Sequence, residues 1–165
     1  MIYTQSSAQL SECGRYRLIL RRTWNAPLLR MCAVLLNPST ADGTLDDATV
    51  RVLVGRAQRM HFGGLDLVNL FSLRATDPRE MLVHPYPISP PTYPALNDEV
   101  LCEAVSQAGF VLAAWGNHGA HMGRAAAVLS AMRGCGVQVH ALRLTQAGHP
   151  AHPLRISYDT APYPI

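Results

Sequence analysis

The stretch "VLLNPSTADGTLDD" (34–47) places Asn37 and three carboxylates, Asp42, Asp46 and Asp47, in a loop that follows an apolar run. An amide fixed by Pro38 at the end of a rigid strand can hold a water molecule. A nearby carboxylate can take that water's proton or stabilise a developing cation. Asn37, Asp42 and Asp47 are thus candidates for catalysis, with Pro38 and Ser39 beside them. Further polar groups also follow apolar runs: Asn69, the string Trp115-Gly116-Asn117-His118, and the pair His149 and His152. Simpler readings stand next to these. Asn-Pro-Ser is a common turn, Asp46-Asp47 can cap a helix, and Asn69 can be a satisfied structural amide. Trp115 and Phe71 have the composition of core residues as much as of stacking platforms.

The elements that must position these groups follow from periodicity. "RYRLILRRTW" (15–24) alternates and reads as an edge strand or hairpin arm. "LLRMCAVLLN" (28–37) becomes continuously apolar, as a strand buried on both faces does. Apolar positions 50, 53, 54 and 57 have helical spacing, with Asp46 or Asp47 in place to cap. "GGLDLVNLFSL" (63–73), "FVLAAWG" (110–116) and "VQVHALRLT" (137–145) are three further strands. Helices are expected over 97–109, opening on an N-cap signal at Asn97-Asp98, and over 123–136. The proline-rich 74–96 reads as an irregular excursion. This alternation predicts a three-layer α/β/α fold around a mainly parallel four-stranded sheet, as a single domain over 1–165. Ligands of such sheets bind beyond the carboxyl ends of the strands, where the polar groups collect.

Composition narrows the function. Of 165 residues, 48% are hydrophobic and 15% charged, the profile of a globular protein. No run approaches a membrane span, no secretory signal pattern opens the chain, and cytoplasm is the expected compartment. The four cysteines are scattered without a CxxC, which favours reduced thiols over a metal cluster. His118/His121 and His149/His152 are His-x-x-His pairs, but a glycine-rich turn and Pro150 deny them helical metal-binding geometry, so no metal and no cofactor are expected. There is no nucleophile elbow and no phosphate-binding glycine loop. The net charge of +3 is carried by 14 basic residues, all of them arginine. That bias is a trait of genome composition in its plainest reading and of phosphate contact in its functional one.

The pieces "LNPSTAD", "DD", "NLFSLRATDP", "ND", "AWGNHG" and "GHPAHPL" resemble a bacterial and phage family known as domain of unknown function 1643 (DUF1643). In their order along the chain they also resemble the uracil-DNA glycosylase superfamily. "LLNPS" is similar to the first glycosylase motif, with Leu35 where that motif has glycine. "HPLRIS" is similar to the second, altered at Arg155 and by the adjoining His149-Pro150. The resemblance implies a glycosylase-like fold and a DNA glycosylase that flips out a pyrimidine and hydrolyses its N-glycosidic bond. A modified pyrimidine is the substrate it suggests, in anti-phage defence or base-excision repair. Asn37 would position water, Asp42, Asp46 or Asp47 would assist it, and His152 would donate to the leaving base. Asn69 and Phe71, with Pro38 and Ser39, would hold the base. Arg74, Arg124, Asn117, His118, His149, Leu154 and Arg155 would contact DNA, Leu154 or Arg155 as the wedge. DNA with an extruded base is the expected partner and a monomer the expected state. A hydrolase of free nucleosides or nucleotides and a non-catalytic base-recognition module are the alternatives.

Overall fold

The computed structural model describes residues 2–165. Its chain forms one seven-stranded mixed sheet: β1 (Gln5–Leu10), β2 (Arg17–Thr23), β3 (Arg30–Leu35), β4 (Gly64–Asn69), β5 (Phe110–Ala113), β6 (Val139–Ala141) and β7 (Tyr163–Pro164), in the order β1-β2-β4-β3-β5-β6-β7. The four strands expected from the sequence are the contiguous centre β4-β3-β5-β6, and all their pairings are parallel. The expectation of a four-stranded sheet is corrected at both ends, where β1, β2 and β7 add antiparallel pairings.

β2 is a hairpin arm, as its alternation suggested, but it is not an edge. It lies between β1 and β4 and is buried along nearly its whole length. The edge belongs to β1, whose "QSSAQL" is mostly solvent-exposed and carries little strand signal.

The central strands read as continuously apolar because both of their faces are covered. Cys32, Val34, Val68, Val111 and Ala113 pack with one core cluster, against α3 (Leu96–Gln107) and α4 (Arg124–Gly134). Met31, Ala33, Leu35, Leu67 and Leu112 pack with the other, against α1 (Ala48–Arg59). In α1 the apolar positions 50, 53, 54 and 57 are all buried, and Asp47 accepts a hydrogen bond from Val50 N as its N-cap. Full burial of each of the larger side chains, Val50, Leu53 and Val54, is worth roughly 1.5–3 kcal/mol. The irregular excursion contains one short helix, α2 (Pro78–Val83), capped by Asp77.

The N-cap expected at Asn97-Asp98 does not form. Ala95 precedes α3 without a side-chain cap, and Asn97 lies inside, its amide donating to the carbonyls of Asn69 and Leu70. Arg124 donates from Nε to that same Leu70 carbonyl at 2.8 Å and ion-pairs with Asp98. "ND" and "GR" are therefore braces on the end of β4. On the opposite face, Arg56 of α1 donates to the carbonyls of Ile156, Ser157, Tyr158 and Thr160, which ties down the chain that follows the 3-10 turn Pro153–Arg155.

Candidate functional site

A cavity of about 320 Å³ opens at the carboxyl edge of the parallel strands. The end of β3 contributes Leu35, Leu36, Asn37 and Ser39; the turn after β5 contributes Trp115, Gly116 and His118; the segment after β6 contributes His152. The first turn of α1 adds Asp47, Thr49 and Val50, and the segment after β4 adds Ala75, Thr76 and Pro78. Arg17, at the start of β2, completes the wall. It reaches this edge because β2 runs antiparallel to β4, and its backbone N–H donates to Ser72 O.

Asn37 is oriented by the backbone. Its Nδ2 donates to Pro38 O at 3.1 Å and to Ala75 O at 2.9 Å, which spends both amide hydrogens and leaves Oδ1 as the atom available to a ligand. Pro38 itself is buried and does not line the cavity; its carbonyl is also the acceptor for Ala75 N. A direct contact of Pro38 with a base is corrected to this anchoring of the loop.

The carboxylates separate into distinct roles. Asp42 folds its own turn, accepting from Thr44 N, Leu45 N and the Thr44 hydroxyl, and those donors hold its pKa below the usual carboxylate value. It does not line the cavity, and its proposed catalytic role is corrected accordingly. Asp46 pairs with the fully buried Arg22 at 2.8 Å and accepts from the Tyr3 hydroxyl. Asp47 alone of the three borders the cavity, with one oxygen committed to capping α1.

His152 stands at the mouth. Loss of hydration against the protein holds its imidazole pKa below the usual value, while the charge of Asp47 acts in the opposite direction. Its neighbours Leu154 and Arg155 are exposed, as a wedge requires. His118 lines the cavity, whereas His149 does not; Asn117 is exposed and accepts from the Thr145 hydroxyl at 2.6 Å.

Three expectations fail on burial. Phe71 is fully buried in the core, its ring centroid 5.7 Å from that of His121, and cannot stack on a base. Asn69 is buried behind Arg17, its Oδ1 3.4 Å from Arg17 Nη2, and is not part of the cavity wall. Arg124 is spent on Leu70 and Asp98 instead of on phosphate. Arg74 is half-buried and donates to Gly14 O. Trp115 is core, as its composition allowed. Its indole edge lies so close to Gly119 that a Cβ there would sit 2.3 Å from Cδ1, and only glycine fits.

The residue that sequence reading missed is Arg17. It is 3% exposed; Nη1 donates to Ala41 O at 2.7 Å, Nε has no partner, and burial lowers its pKa to about 10. The available signal was the arginine-rich opening of a strand that, once placed inside the sheet, has no solvent for its charge. Among the described residues no three His, Cys, Asp or Glu side chains gather to hold a metal, and no helix is long and apolar enough to cross a membrane.

A cavity with a few polar groups at the carboxyl edge of parallel strands covered on both faces makes this an α/β protein with a candidate strand-end site. The chain belongs to the DUF1643 family, described as a protein of unknown function, and matches it over residues 15–154, a span holding every residue of the cavity wall from Arg17 to His152. Comparison with curated proteins and with solved structures finds no match.

Proposed function

We propose that this protein is a glycosylase-like hydrolase that takes a pyrimidine nucleotide of DNA into the strand-end cavity and cleaves its N-glycosidic bond. The observation that carries the reading is the pinned amide of Asn37. With both hydrogens of Nδ2 held by Pro38 and Ala75, Oδ1 is an oriented acceptor for the hydrogen of a water, in the same cavity as Asp47 and His152. In the reaction the C1′–N bond breaks and its electron pair leaves with the base. The water oxygen bonds to C1′, and the proton it loses passes to a protein acceptor and finally to the base. Asp47 faces the cationic sugar, and His152 donates a hydrogen bond towards the departing base. The cavity volume lies at the small end of ligand sites and suits one base with part of its sugar. The exposed Leu154 and Arg155 next to His152 suit the wedge that extrusion needs. A modified pyrimidine of phage type, in defence, and plain uracil, in repair, are the substrates to compare.

One observation favours a second reading. Arg124 is used up inside the fold, which thins the phosphate-contacting surface and makes a free nucleoside or nucleotide a competing substrate.

The test is a single-turnover assay on oligonucleotides carrying uracil, 5-hydroxymethyluracil, 5-hydroxymethylcytosine or its glucosylated form, with alkali to reveal abasic sites. Strand breaks that disappear in Asn37→Ala are expected. Their absence on every substrate, with binding that has no salt dependence, overturns action on DNA. Binding that survives Asn37→Ala with no product from any substrate would leave a recognition module.

A further inference from the structure

Besides Arg17, the residues with buried arginine side chains are Arg22, Arg56 and Arg124, and each of these is met by the protein itself. Arg22 has Asp46 and the carbonyls of Arg21, Asp42 and Leu45; Arg56, whose Nε is bare and which has no carboxylate partner, has four carbonyls of the C-terminal segment on its terminal nitrogens; Arg124 has Asp98 and Leu70 O. Arg17 has neither a carboxylate within ion-pair distance nor a full set of acceptors. It makes one good bond to Ala41 O and a long one to Asn69 Oδ1, Nε is bare, and Asn69 Nδ2 behind it is bare as well. A cation removed from water and left short of acceptors is costly, and such groups are found where a ligand completes them. Arg17 is also the buried arginine in the cavity wall, which it shares with the N-terminal turn of α1, a second source of positive potential.

We propose that Arg17 is the recognition residue of this cavity, and that its guanidinium takes an acceptor oxygen of a compact heterocycle with an amide-type edge. Asp47 shares the wall, so the cavity offers a cation and an acceptor together. A carbonyl oxygen next to a ring N–H matches both, whereas a phosphate dianion would be repelled by Asp47. The inference rests on the glycosylase reading and deepens it: the carbonyl oxygen of the base that meets Arg17 is one on which negative charge collects as the C1′–N bond breaks. A guanidinium already stripped of water stabilises that charge without reorganisation.

The experiment is calorimetric titration of the whole protein with free uracil, 5-hydroxymethyluracil and inorganic phosphate, in wild type, Arg17→Lys, Arg17→Met and Asn37→Ala. Thermal unfolding of each variant confirms that it folds. A base is expected to bind the wild type, to lose at least about tenfold in affinity in Arg17→Met, and to lose less in Arg17→Lys, which keeps the charge without the planar fork. Should Arg17→Met fail to fold, the weakened binding of Arg17→Lys is the readout. Unchanged affinity in folded Arg17 variants, no base binding to the wild type, or phosphate binding tighter than any base each overturns the proposal. Base binding that depends on Arg17 while no oligonucleotide is cleaved retains the recognition role and removes the hydrolytic one.

Discussion

Arg17 and Arg22 lie on the same strand, both reach the loop between β3 and α1, and both are buried, yet one is a fastener and the other a ligand group. Arg22 holds that loop at three points: the Asp46 carboxylate and the carbonyls of Asp42 and Leu45. Arg17 touches the loop once, at Ala41 O, and lines the cavity. The adjoining carboxylates divide in the same way, Asp46 serving the fastener and Asp47 the cavity. Burial therefore does not separate structural from functional arginines in this molecule. The supply of acceptors does.

The contrast breaks most visibly in stability. Arg22→Met strands a part-buried carboxylate and two loop carbonyls, and urea denaturation should show a loss of about 3–5 kcal/mol. Arg17→Met removes a cation that no carboxylate contacts and frees only the Ala41 carbonyl and Asn69 Oδ1; its loss should stay below about 2 kcal/mol. An equal cost for the two would erase the distinction.

The acids sharpen it. Asp47→Ala deletes a helix cap and should cost about 1 kcal/mol, while Asp46→Ala, which leaves Arg22 uncompensated, should resemble Arg22→Met in the same titration. The smallest effect concerns His152. Its folded pKa lies below the usual 6.5, so as pH falls the unfolded chain takes up the proton first. The stability its neutral ring contributes is complete above 6.5 and drains away as pH falls below it. His152→Asn should flatten that part of a thermal-stability profile against pH; a steeper decline in the variant would contradict the assignment.

Much of the frame was legible because burial on two faces imposes a simple pattern. β3, β4 and β5 read as strands from apolar runs, and α1 from the spacing of Val50, Leu53, Val54 and Ala57. That Asn37, Asp47 and His152 would lie near one another was legible because the segments that follow parallel strands converge, and all three line the cavity. The misreadings come from long-range contacts that no local pattern encodes. Arg17 was hidden because β2 alternates like an edge strand, and only the polar β1 outside it puts it in the interior. Arg124, behind a glycine turn, has the local look of a phosphate contact, and its true acceptors, Leu70 O and Asp98, lie far off in sequence. Asn69 was correctly placed at a strand end, but whether its side chain meets a ligand or lies behind Arg17 depends on a residue from another strand.

The clamp of Arg56 on the C-terminal segment carries a kinetic meaning. Its Nη2 bond to Ile156 O joins positions 100 residues apart, and the cavity wall bearing His152 is contiguous with that segment. Contacts of such separation form only after a large loop has closed, a step whose entropy cost the local α1 and the β1–β2 hairpin do not face. The expected outcome is that the cavity is completed late on the folding path, after the central strands that frame it. A chain stalled before Arg56 meets its acceptors would have strands and helices but no closed site, so ligand-binding competence should lag behind the recovery of secondary structure during refolding.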